Sequence, residues 1–248
     1  MEKDKVVKKM LQYYRSTADA YDTMHLRSVH KHADEHAIAL TLISGFIECL
    51  NLKTVLDVGC GTGRGLKYLI HNHPNLRVMG IDLSFDLLTK CIEKDIPKSK
   101  LLYGNACLLP FKDACFDAVV SLALLHHVPD PNRVIGEMLR VARKAIFISD
   151  SNRYGQGSLF KRLMKLGLYR VLRMGQLVDY FRTRGKMYMY SEGDGVFYSY
   201  SVFDSLSILK QNARKIIAVP LKGQGDLSAF AILKSSHFLI CAFKGDNQ

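Results

Sequence analysis

The chain has 248 residues, 48% of them apolar and 10% aromatic, which suits one large domain with a sizeable core and excludes wholesale disorder. Its longest unbroken apolar run is six residues, Phe238 to Phe243, against the roughly 20 that a spanning helix needs, and the charged start Met1 to Lys5 leads into no apolar signal region, so a cytoplasmic protein is expected. The formal charge is +12, and +8 of it falls in residues 151–190, where nine Lys and Arg face Asp179 alone.

Residues 1–53 read as a helical cap, with a long covering helix over Glu35–Leu50. From 54 to 150 short β-branched runs alternate with longer mixed segments. The expected strands are Thr54–Val58, Arg77–Asp82, Ser99–Tyr103, Phe116–Ser121 and Ala145–Ser149, and the expected helices are 63–72, 84–94 and 132–142. Ser84 has the chemistry of an N-cap, and Pro131 stands near the first helical position, where its missing N–H costs nothing. This alternation predicts a doubly wound, mostly parallel α/β sheet covered on both faces. After 150 the rhythm changes. Phe160, Leu163, Met164, Gly167, Val171, Met174 and Val178 recur at helical spacing, which predicts a single amphipathic helix over 158–178; its apolar stripe reads first as packing, and its basic face as a lid, a membrane-surface element or an RNA-binding face. A Tyr- and Gly-rich stretch follows, then a helix near Val202–Asn212 and two strands, Lys215–Leu221 and His237–Phe243, that finish the sheet with an antiparallel last strand. We therefore expect one domain over 1–248, with 151–200 a basic insert or lid and 201–248 the closing helix and strands.

The cysteines at 49, 60, 91, 107, 115 and 241 form no C-x-x-C pair and are expected as reduced thiols; neither they nor the His30, His32 and His36 cluster predict a metal site. The strongest signal is Val55 to Gly65, a buried strand running into Asp57-x-Gly59-x-Gly61-x-Gly63 and then a helix. Glycine serves where φ is positive or the backbone approaches a ligand, and such a turn presents N–H groups to an anion. The dinucleotide pattern G-x-G-x-x-G fails in both frames here, and so does the phosphate-loop pattern that ends in Gly-Lys-Ser/Thr.

Five further segments stand in order with that turn: Tyr14-x-x-x-Ala18-x-x-Tyr21-Asp22, Gly80 to Ser84, Gly104 to Ala106 with Leu109-Pro110-Phe111, Phe116 to Val119, and Leu124 to Val128. Over about residues 13–150 the chain resembles the class I S-adenosylmethionine (SAM)-dependent methyltransferases, of the UbiE- or BioC-like, type 11 group. The resemblance implies a Rossmann-like seven-stranded sheet, SAM as cofactor and methyl transfer to an O, N or C atom of an acceptor. It also implies roles. Asp57 and the turn Gly59, Cys60, Gly61 and Gly63 would hold the methionine end of SAM. Asp82 would accept from the ribose hydroxyls, Leu83 would pack on adenine, and Asn105 and Ala106 would meet its edge. Ser121 would line the sulfonium side, and Tyr14 and Tyr21 would close over the cofactor. Asn105 replaces the family's usual Asp, and the Pro-Gly-Gly turn common before the fifth strand is missing.

No catalytic residue follows from the resemblance. His126 and His127 are candidate bases, with a lining role ranked ahead. Asp150, Asn152 and Arg153, just past the fifth strand, should reach the acceptor, because ligands bind outside the carboxyl ends of parallel strands. Ser191 to Gly195 reads first as a hairpin turn, and second as a source of acceptor contacts from Glu192 or Asp194. The favoured partner is a small-molecule acceptor, with an acidic one suited to the basic insert. RNA or a membrane isoprenoid or lipid is the alternative acceptor, and a non-catalytic SAM-binding protein is a further one.

Overall fold

The computed structural model describes residues 2–26, 34–223 and 231–245; His30, His32 and the middle of the stretch joining the last two strands lie outside them. Its α-helices are α1 (Glu2–Thr17), α2 (Tyr21–Leu26), α3 (Glu35–Cys49), α4 (Arg64–Asn72), α5 (Phe85–Glu93), α6 (Pro131–Val141), α7 (Leu159–Lys165), α8 (Gly175–Arg182), α9 (Leu206–Asn212) and α10 (Ala231–Lys234). The strands are β1 (Thr54–Val58), β2 (Arg77–Asp82), β3 (Leu101–Tyr103), β4 (Phe116–Leu122), β5 (Ala142–Ser151), β6 (Tyr188–Ser191), β7 (Gly195–Tyr198), β8 (Lys215–Gly223) and β9 (Ser235–Phe243).

Seven strands form one sheet in the order β3-β2-β1-β4-β5-β9-β8, and β6 pairs with β7 as a separate hairpin. Strands β3 to β5 pair in parallel, and β9 runs antiparallel to both β5 and β8. Period-two alternation sends Val55, Ala118, Val120, Ala145 and Phe147 to one face, under Leu40 and Ile43 of α3 and Leu66 and Leu69 of α4. Leu56, Val58, Val119, Ile146 and Ile148 go to the other, under Val134, Ile135 and Met138 of α6 and Leu209 of α9. Both faces are covered, as the α/β alternation predicts.

Local chemistry sets the helix starts. Asp34 caps α3 by accepting from Ala37 N at 2.8 Å, and Ser84 caps α5 by accepting from Leu87 N at 3.3 Å. Pro131 occupies the first turn of α6 behind Asp130, which accepts from Arg133 N at 3.1 Å. The third strand is shorter than expected, because Lys98–Lys100 folds into a 3₁₀ turn behind Pro97.

The single helix expected over 158–178 is broken, and its apolar stripe is not packed. Helix α7 passes into a π-helical stretch, Leu166–Val171, and Arg173 takes φ +55° before α8 begins. Widened turns move the following residues around the axis by roughly 100° per inserted residue, so a 3.6-residue stripe no longer faces one way. Phe160, Leu163, Met164, Val171 and Met174 all stand exposed. Leu166 and Tyr169 pack against the core instead, and the Tyr169 hydroxyl donates to Asp179 at 2.6 Å.

Candidate active site

The strand order reverses between β1 and β4, and a crevice opens there beyond the carboxyl ends of the parallel strands. The loops leaving β1, β2 and β4, together with the insert, line one cavity of about 590 Å³, within the usual size of ligand sites. Gly59, Gly61 and Gly63 have φ of +76°, +53° and +78°, the conformation for which the glycine spacing asks. At Ala123, directly after β4, a non-glycine residue holds φ +55° against the same cavity.

At one end stand Asp57, Gly59, Cys60, Gly61, Asp82, Leu83, Asn105 and Ala106, with Tyr14 and Tyr21 over them. Asp82 Oδ2 accepts from Gly61 N and Oδ1 from Ser84 N, both at 2.8 Å. Each carboxylate oxygen keeps a further lone pair, so Asp82 can still accept from a diol. Burial raises the pKa of Asp82, and its backbone donors oppose that rise. Asp57 is buried with Oδ1 lacking any hydrogen-bond partner among the described residues. Burial, then the charge of Asp82, pushes its pKa up to about 7. An orphaned, buried carboxylate of this kind suits a ligand cation. The wall is buttressed from behind: Thr62 Oγ1 donates to Asp22 at 2.6 Å, Lys94 Nζ to Thr62 O at 2.9 Å, and Lys94 pairs with Asp22.

Two residues expected at this end do not line the cavity. Ser121 is buried within the sheet, with its hydroxyl unpartnered among the described residues; the backbone that follows it, from Leu122 to Leu124, forms the wall. Strand alternation turns one residue in two away from any given face, which accounts for Ser121. Gly63 caps α4 and fits against Ile96 and Cys91, so it shapes the turn from behind.

The other end holds His126, His127, Arg153, Asp194 and the run from Phe197 to Tyr200. Asp150 is fully buried and does not line the cavity. It accepts from Leu125 N at 2.8 Å, Ser151 N at 2.6 Å and His126 Nδ1 at 2.7 Å, and so positions His126. Asn152 is buried too, donating to the carbonyls of Ile232 and Ser235 and accepting from Tyr154 N and Ser201 Oγ, which makes it a structural clamp. Asp150 and Asn152 were expected at the acceptor because they follow a parallel strand; β5 runs on to Ser151 and pairs with β9 there, which encloses them. Arg153 does line the cavity, its guanidinium 4.4 Å over the Tyr169 ring and paired with Asp204. Glu192 is exposed at the tip of the β6–β7 hairpin and away from the cavity; its neighbour Asp194 faces inward.

Asp194 approaches His126 Nε2 at 3.7 Å and His127 Nε2 at 3.6 Å. Burial would lower the His126 pKa, but the carboxylate of Asp150, and then that of Asp194, raise it to about 10. His127 moves the opposite way, to about 4, through burial and the charge of His126; its Nδ1 donates to Val196 O at 2.7 Å, leaving Nε2 as an acceptor. The pair thus divides into an imidazolium and a neutral imidazole. The ligand atoms of His126, His127 and Asp194 lie within 4.8 Å of one another, a spacing that could hold a metal ion. Sequence reasoning also missed His36, Lys165, Arg182 and His237 in the cavity wall, since nothing local marks the distant segments that meet there.

Comparison with known proteins agrees with this geometry. Residues 56–148 match the family model described as methyltransferase domain. Over 95 residues, 36% of this chain, it is 41% identical to a phosphatidylethanolamine N-methyltransferase of Cereibacter sphaeroides, covering 45% of that protein. Over 110 residues, 43% of the chain, it is 34% identical to a tRNA (carboxymethyluridine(34)-5-O)-methyltransferase of Arabidopsis thaliana, covering 26% of it. The chain thus spans less than half the length of these relatives. Among solved structures, magnesium protoporphyrin IX methyltransferase from Synechocystis PCC 6803, with bound SAH, aligns with TM-score 0.58 at 15% identity over 98% of this chain and all of that one. A SAM-dependent methyltransferase of Thermotoga maritima aligns with TM-score 0.59 at 15% identity over 95% of this chain and all of that one.

Proposed function

We propose that this chain, which over residues 56–148 belongs to the class I SAM-dependent methyltransferases, transfers a methyl group to a small acceptor carrying an anionic group. The observation that carries this reading is the single cavity joining Asp57 and Asp82 at one end to His126, His127 and Asp194 at the other. SAM is the cofactor of this class. When bound, it supplies a methyl group on a sulfonium, displaced in line by the acceptor atom, with a neutral thioether left behind.

The residues present fit that cofactor. Asp57, unpartnered at Oδ1, would pair with its ammonium, Asp82 would accept from the ribose hydroxyls, and Leu83, Asn105 and Ala106 would flank the adenine. Tyr14 and Tyr21, with ring centroids 6.0 Å apart, would exclude water above it. At the acceptor end, Lys165, which among the described residues meets the carbonyls of Arg153 and Gln156 and no carboxylate, would attract an anionic group. Asp194 would take the proton of a hydroxyl or ammonium nucleophile, and the neutral Nε2 of His127 would accept a hydrogen bond from it. Most of the rate would come from alignment in a dry cavity. We read residues 1–248 as one such domain, with 151–200 as the wall on the acceptor side. Asn105 in the place of Asp still offers an acceptor oxygen, although its Oδ1 already receives Cys107 N at 2.8 Å.

The test is calorimetric titration with SAM, followed by incubation of the enzyme and methyl-labelled SAM with metabolite, lipid and RNA fractions. Label in an anionic small-molecule or lipid fraction, lost in Asp194→Asn, is the expected result. Tight SAM binding with label in no fraction would instead favour a non-catalytic binder, and label in RNA alone would overturn the small-acceptor reading.

A further inference from the structure

Among the described residues, eleven of the seventeen large apolar side chains that stand exposed fall within residues 159–187. Phe160 and Val171 are each 74% exposed and Phe181 is 71% exposed, with Leu163, Leu172 and Leu177 beside them in the chain. Scattered apolar residues are ordinary on a surface, but a concentration of this kind marks a contact site. The same stretch carries Lys161, Arg173, Arg184 and Lys186, all exposed and none meeting a carboxylate among the described residues. One segment thus presents apolar side chains and unneutralised cations together.

What covers it must accept both. A second copy of the chain brings the same cations and repels. RNA satisfies the cations, but its bases stack on aromatic rings, and most of these apolar side chains are Leu, Met or Val. An anionic bilayer satisfies both, because its headgroups neutralise Lys and Arg while its acyl boundary takes up the apolar side chains. We propose that residues 159–187 seat on an anionic lipid surface and that the acceptor is an amphiphile with an acidic headgroup drawn from it. The second clause rests on the methyltransferase reading; the first does not. The link to the cavity is direct, since Lys165, Tyr169 and Arg182 of this same segment line it.

The test is flotation of the full chain with vesicles of phosphatidylglycerol and phosphatidylcholine, and with phosphatidylcholine alone, at low and moderate salt. Calorimetric titration with SAM runs alongside. Binding to the anionic vesicles only is expected, weakened by salt. Phe160→Glu/Phe181→Glu should reduce it at least tenfold, and so should Lys161→Glu/Arg184→Glu, since each cation near such a surface contributes about fivefold. SAM affinity and the circular dichroism spectrum should stay unchanged in both variants. Absence of flotation with the anionic vesicles, or equal flotation of wild type and both variants, would overturn the proposal whatever the SAM result. Self-association at rising concentration would then assign the face to a second copy, and salt-sensitive binding of an RNA oligonucleotide would assign it to nucleic acid. Loss of SAM binding in the wild type, with flotation intact, would remove only the methyltransferase reading.

Discussion

Asp150→Asn isolates the electrostatics around His126. Three N–H groups converge on the Asp150 carboxylate, from Leu125, Ser151 and the imidazole of His126. An amide offers one oxygen to those three donors and turns its own N–H₂ toward at least one of them. Breaking a buried pair by removing one partner costs about 3–5 kcal/mol. For a chain of this size that lowers Tm by about 6–20 °C. The pH dependence gives a second reading. The folded pKa of His126 is raised to about 10, above its unfolded value, so its contribution is fully present below about pH 6.5 and is lost as pH rises toward 10. Asp150 is lowered to about 2, chiefly by His126 against the opposing effect of burial, so its contribution is lost as pH falls from about 4 toward 2. The Tm gap between wild type and Asp150→Asn should therefore be widest between about pH 4 and 6.5 and narrow on both sides. Scanning calorimetry from pH 3 to 10, with NMR titration of the His126 ring, reads both effects. A variant melting within 2 °C of wild type at pH 7, or a gap independent of pH, would refute the pairing.

Asp82→Ala should weaken SAM binding by about ten- to a hundredfold, the loss of charged hydrogen bonds, as read by calorimetric titration. Asp57→Asn should raise stability above pH 7 while weakening SAM binding. The raised pKa of Asp57 means that its ionised form is disfavoured in the fold, by an amount on the order of 4 kcal/mol, and stability is lost as pH rises through about 7. Wild-type affinity for SAM should correspondingly fall as pH drops below about 7, when Asp57 takes up its proton; titration from pH 5.5 to 8.5 checks this. Gly155→Ala should lower Tm by several degrees or prevent folding, because an added Cβ would lie 1.9 Å from the Ser235 carbonyl oxygen, a backbone atom that cannot give way.

The parallel strands were legible because each buries both faces and reads as a compact apolar run between turn signals, and β1 to β5 stand within a few residues of where those signals put them. The glycine turn was legible because positive φ leaves a mark on composition. Helix periodicity failed at 158–178. It reports only where apolar residues would meet if the helix were regular, and the π-helical turn and the left-handed Arg173 break that premise. Asp150 and Asn152 misled for a different reason. They were placed just past the fifth strand, but β5 runs on to Ser151 and β9 covers them, and pairing with a strand some 90 residues later leaves no local trace. The approach of Asp194 to the two histidines depends in the same way on where the β6–β7 hairpin docks. Its Gly-flanked acidic loop was visible, while its inward direction was not.

The cavity draws its walls from two separable parts of the chain. Asp57, Asp82, the glycine turn, Leu83, Asn105 and Ala106 come from the ends of β1 to β4, inside the stretch matched by the family model, which stops at residue 148. Arg153, Lys165, Arg182, Asp194 and Tyr198 all come after it. Exchanging residues 151–200 for the corresponding stretch of another such chain would leave Asp57, Gly59, Gly61, Asp82, His126 and His127 in place while replacing Arg153, Lys165, Arg182, Asp194 and Tyr198.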